Sequence, residues 1–185
     1  MNTRLLGIIC IACIAGGIIA SLLGLAFGVS ENNVITDGLL VIGALAGLVG
    51  MIQANAVGSN PVVRAVAFLP ILAMVALIVT GIARLFDPTV PHYAGIYFGL
   101  LAGMILVSIL TIAAKTWQGW RRFVPLFVLV MFFVINVAVA GDPSPFPGDI
   151  HPYLRLVTMV APWALLGYAV ATAEPAPARA QSATA

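Results

Sequence analysis

Long apolar runs alternate along this chain with short polar punctuation. Six runs, at 5–29, 38–58, 62–85, 94–115, 122–140 and 153–173, are built mainly from Leu, Ile, Val, Ala, Gly, Phe and Met. Each is close to the roughly 20 helical residues needed to cross a hydrocarbon layer of about 30 Å. Between them stand "SENNVITD", "GSNP", "FDPTVPHY", "KTWQGWR" and "GDPSPFPGDIHPY", none long enough to fold as a separate domain. The pattern predicts an all-α polytopic membrane protein, a compact six-transmembrane-helix bundle over residues 1–173. The remaining stretch, 174–185, is rich in Ala and Pro without apolar periodicity, and is expected to be a flexible cytoplasmic tail.

Composition agrees with the pattern. The chain is 62% hydrophobic and 8% charged, against roughly 25% charged residues in a soluble domain. Its net charge of +2, with no basic run longer than Arg121-Arg122, gives no footing for nucleic-acid binding. Charge instead bears on orientation. With both termini cytoplasmic, Arg4, Arg64, Lys115, Arg121, Arg122 and Arg179 fall inside and only Arg84 and Arg155 outside. The acids divide the other way, with Glu31, Asp37, Asp87, Asp142 and Asp149 outside and Glu174 inside. The positive-inside bias therefore predicts multi-pass insertion in a bacterial cytoplasmic membrane, with the two Asp-Pro-rich loops outside. The first apolar run is longer than the apolar core of a secretory signal, about 7–15 residues, and is expected to be a retained helix.

Small residues indicate how such helices would pack. Gly24 and Gly28 in the first run, Gly43 and Gly47 in the second, and Gly95, Gly99 and Gly103 in the fourth recur at four-residue spacing. Glycines so spaced let backbones approach, so these three helices are expected to form the tight centre. The fifth run has no glycine between Phe123 and Ala140 and is expected to face lipid or a partner subunit. Prolines at 70, 125 and 162 mark kinks or first turns. A weak repeat accompanies this arrangement: "GALAG" and "GLLAG" lie 56 residues apart, and Glu31, Asp87 and Asp142 each open an outer loop.

Candidate chemistry is sparse. Both histidines lie in the Asp-Pro-rich loops, so His92, His151, Asp87 and Asp149 are the candidate metal ligands, imidazole with carboxylate being suited to zinc or another first-row ion. No HExxH, Walker A or G-x-S-x-G spacing supports a catalytic site. The plainer reading makes these loops stiff turns, with Asp87 and Asp149 pairing to Arg84 and Arg155, and with Trp117 and Trp120 in an inner aromatic belt. Cys10-Ile-Ala-Cys13 has redox spacing, but sits in an apolar helix with no cation nearby to favour thiolate. The polar residues available to line a transport path are Gln53, Asn55 and Asn136. No cofactor is expected.

The reading favoured by this scarcity is a non-catalytic accessory or structural subunit of a larger membrane complex. Its partners are the lipid bilayer and other membrane subunits, met through the fifth helix or the glycine-rich faces. A small transporter or channel for a neutral or weakly polar solute is the alternative. An intramembrane enzyme or metal site at the outer His/Asp loops ranks third.

Overall fold

The computed structural model describes residues 2–26, 34–87, 89–90, 94–140 and 151–173. Among them are seven α-helices and no strand: α1 (Thr3–Ala26), α2 (Val34–Gln53), α3 (Pro61–Val66), α4 (Leu69–Phe86), α5 (Ala94–Ala114), α6 (Val124–Ala140) and α7 (His151–Ala171). A short 3-10 segment, Gly119–Phe123, leads into α6. The six apolar runs thus become six long helical stretches, the third of them broken into α3 and α4. The stretches Thr3–Gly24 and Pro61–Ala83 are long and apolar enough to cross a membrane, each with mean hydropathy 2.6.

Local chemistry sets the helix ends. At the end of α2 the Ala56 amide donates to the Met51 carbonyl and the Asn55 amide to that of Ile52, with Asn55 at φ 54°. This is a Schellman closure with asparagine in the left-handed position, so α2 stops five residues before the second apolar run does. Asn60 then starts α3, its Oδ1 accepting from the Val62 amide at 2.9 Å, with Pro61 in the first turn where no N–H is missed. Pro70 cannot donate to the Val66 carbonyl, which accounts for the break at 67–68, where the Phe68 amide turns to the Ala65 carbonyl. At the far end of α4, Asp87 takes an extended conformation (φ −140°, ψ 98°), as a residue preceding proline prefers.

The helices run up and down in antiparallel succession and close into a ring. Neighbours in the chain pack together, α1 on α2, α2 on α4, α4 on α5, α5 on α6 and α6 on α7; α7 closes the ring on α2, and α1 lies against the α2–α7 pair. Chain direction follows from the contacts: Gly50 faces Leu6, Gly47 faces Cys10 and Gly43 faces Ile14, so α1 and α2 are antiparallel. Gly7 meets Gly167 and Ala171, which brings the start of α1 and the end of α7 to one end of the bundle. That end is hereafter the basic end. The interior is apolar, with Leu48, Met51, Leu100, Met104, Val107, Val128 and Leu166 all buried.

The tight centre differs from the one expected. α1 and α2 do meet through Gly43 and Gly47, but the third member is α7, not α5, and α5 packs on α4 and α6 instead. A Cβ at Gly7 would fall within 2.5 Å of the Gly167 carbonyl oxygen, and one at Gly167 within 2.9 Å of Cys10 Cβ. Neither glycine has a partner at four-residue spacing, so the pattern passed over both. Close helix approach requires glycines facing each other across two helices, and repetition within one helix does not report that. Gly99 is exposed, its nearest neighbour Ala73 Cβ at 3.9 Å, whereas Gly103 lies under Pro70, whose nitrogen a Cβ would meet at 2.7 Å. Gly24 is half-buried, and Gly28 lies outside the described residues. The helix from the fifth run, α6, presents Leu126, Phe127 and Val130 outward but buries Val124 and Val128 against its neighbours.

Candidate functional site

Inside the ring the hydroxyls are already engaged with their own helices. Ser108 donates to the Met104 carbonyl at 2.7 Å and Thr111 to that of Val107 at 2.8 Å, both buried, while Thr80 donates to Ala76 O at 2.9 Å. Such bonds satisfy a hydroxyl at the helix surface and leave the adjoining interior apolar. Cys10 is likewise occupied, its thiol donating to the Trp163 carbonyl at 3.2 Å across the α1–α7 contact. Cys10 and Cys13 are both free thiols.

The candidate path residues stand apart. Asn55 spends its conformation on ending α2, and its carbonyl accepts from the Gly58 amide at 2.9 Å. Gln53, the last residue of α2, has a buried Oε1 without a partner. Both are at the basic end. Asn136 lies twelve residues into α6, about 18 Å along the axis from that end at a rise of about 1.5 Å per residue. Its side chain is outside the described residues.

Of the candidate metal ligands, Asp87 is described in full. It is exposed at the end of α4, where its Oδ1 accepts from the Thr89 hydroxyl at 2.6 Å and the Thr89 amide at 2.9 Å. These bonds favour the carboxylate and hold its pKa below the ordinary aspartate value, the hydroxyl contributing most. His151 opens α7, which puts it at the same end of the bundle as Asp87; its side chain is outside the described residues, as are His92 and Asp149 altogether. Among the described residues no three His, Cys, Asp or Glu side chains gather as a metal site.

A feature that residue type alone did not single out lies at the basic end. Lys115 (φ 54°) and Gly119 (φ 61°) turn the α5–α6 connection back under the helices, and Thr116 ties it to the α2–α3 turn by donating to Ala56 O at 2.8 Å. Trp117 is only 5% exposed, inside the core and not in a surface belt, and its Nε1 has no acceptor. Arg122 lies over the Phe123 ring, 4.6 Å from the centroid, with a buried Nε that also lacks an acceptor. Trp120 is half-exposed and stacks on Tyr168 of α7, centroids 6.1 Å apart. Tyr168 in turn borders a shallow cleft of about 630 Å³ at the start of α1, lined also by Thr3, Arg4 and Thr172. The tryptophan and arginine content of "KTWQGWRR" was the available signal, but burial of the donors depends on how the connection folds back.

No family model, curated protein or solved structure matches this chain.

Proposed function

We propose that this chain is a multi-pass membrane protein, six spans with both termini cytoplasmic, and that it serves as a non-catalytic subunit packing within a larger membrane assembly. The observation that carries the proposal is the pairing of an apolar outer surface with an apolar interior. Outward-facing large side chains occur on several sides of the ring, among them Ile8 and Ile19 of α1, Leu72 and Val79 of α4, and Ile109 of α5. A soluble monomer rarely exposes contiguous apolar patches beyond a few hundred Å², whereas lipid and neighbouring membrane helices accept them at no cost. Within the described ring, core aliphatics and back-bonded hydroxyls supply no continuous polar lane for a solute.

The transporter reading keeps one specific point in its favour, the buried and unpartnered Oε1 of Gln53. Purification from the native membrane in mild detergent separates the two. A larger protein travelling with the chain in fixed stoichiometry is the expected result. A lone monomer or homo-oligomer that moves a neutral solute in proteoliposomes, with loss of flux in Gln53→Leu, would reverse the assignment.

A further inference from the structure

We infer that the α5–α6 connection, residues 115–123, is a headgroup site for an anionic phospholipid, whose phosphate accepts from the Trp117 indole and the Arg122 guanidinium. The inference rests on the membrane reading above and adds to it a ligand and a place.

Three observations converge on it. Trp117 and Arg122 each bury an N–H donor that finds no acceptor in the protein. Buried donors are ordinarily paired, and what two unpaired donors within six residues share is the need for a nearby acceptor. A phosphate offers several acceptor oxygens and a negative charge, and arginine is the side chain best suited to it. The second observation is charge. Arg4, Arg64, Lys115, Arg121 and Arg122 all occupy the basic end, while the described acids, Asp37 and Asp87, belong to the opposite end. Among the described residues, then, no carboxylate at that end competes for the arginine, and basic clusters of this kind attract anionic headgroups.

The third observation distinguishes a lipid from a free anion. Phe123, Leu126 and Phe127 are exposed immediately beside the connection and at the start of α6. A phosphate held by Arg122 therefore has an apolar wall alongside it on which acyl chains can lie. The half-exposed Trp120, stacked on Tyr168, adds an aromatic shelf of the sort favoured at headgroup level. The connection is also pre-positioned, by the Thr116 to Ala56 bond and by the Phe123 ring beneath the guanidinium.

The test uses the full chain in nanodiscs of phosphatidylcholine with or without phosphatidylglycerol, with retained lipid counted by native mass spectrometry. Whether the chain needs detergent or lipid to remain dispersed is scored first, so failure of the membrane reading is seen separately from failure of the site. The wild type is expected to retain phosphatidylglycerol over phosphatidylcholine. Arg122→Gln should weaken that retention about tenfold, the loss of one charge-assisted bond, while Arg64→Gln changes it by about twofold or less, as for a diffuse surface charge. Trp117→Phe should also weaken it; if that core variant does not fold, Arg122→Gln with an unchanged circular dichroism spectrum carries the test alone. Equal retention of the two lipids overturns the inference. So does an Arg64→Gln effect as large as that of Arg122→Gln, or displacement of the lipid by inorganic phosphate.

Discussion

Asp87 shows how much a single exposed residue can be assigned. Its carboxylate accepts two bonds from Thr89, so the folded chain binds the proton less tightly than the unfolded chain does. Ionisation therefore favours the folded turn above the unfolded pKa, about 3.9, and that contribution disappears as pH falls through the lower, folded value. In a carbon-detected titration the Asp87 midpoint should lie below about 3.9 and move up toward it in Thr89→Val, which removes the hydroxyl and keeps the amide. A midpoint that ignores the substitution would detach the depression from Thr89. The Arg84 side chain, the partner expected for this carboxylate, lies outside the described residues. At the other end, Asn55 has a comparable job, since asparagine tolerates the left-handed conformation that closes α2.

At the scale of elements, the packing of α4 on α5 turns on proline meeting glycine. Pro70 interrupts the hydrogen-bond ladder, separates α3 from α4, and lays its ring against Gly103. Gly103→Leu must displace proline ring and backbone atoms together, and overpacking of that kind costs about 1–3 kcal/mol or more. Gly99→Leu, one turn away on an exposed surface with Ala73 at 3.9 Å, should be close to neutral. Thermal melts of the two variants in the same detergent check the contrast. Equal destabilisation would mean that α4 and α5 approach along their whole length.

For the whole molecule, the up-and-down ring collects Arg4, Arg64, Lys115, Arg121 and Arg122 at one end. On the membrane reading proposed above, the positive-inside rule assigns that end to the cytoplasm, and labelling tests the assignment. In a chain with Cys10 and Cys13 replaced by alanine, Thr89→Cys should react with an impermeant maleimide on intact cells. Gln118→Cys should react only once the membrane is opened. The reversed labelling would invert the orientation while leaving the ring untouched. Outer-loop chemistry at His92 and Asp149 falls outside the described residues, so the Asp87 turn and the start of α7 are the structural anchors from which that end can be approached.

The sequence by itself determined the helical class, the number of long helical stretches and most of their limits, because each apolar run is uninterrupted and its punctuation acts locally. Pro70 breaking the third run and Asn60-Pro61 starting α3 are effects of residues on their immediate neighbours, and so can be read in order along the chain. Tertiary structure alone decided which helices make the closest contacts. Gly7 and Gly167 lie 160 residues apart and have no motif, yet they become partners because the fold brings the first and last helices together. Burial of the Trp117 and Arg122 donors was equally invisible, since the same residues in an extended connection would be solvated. Periodicity reports the faces of one helix at a time, whereas a pocket or a close crossing is a property of two faces that the fold must first bring together.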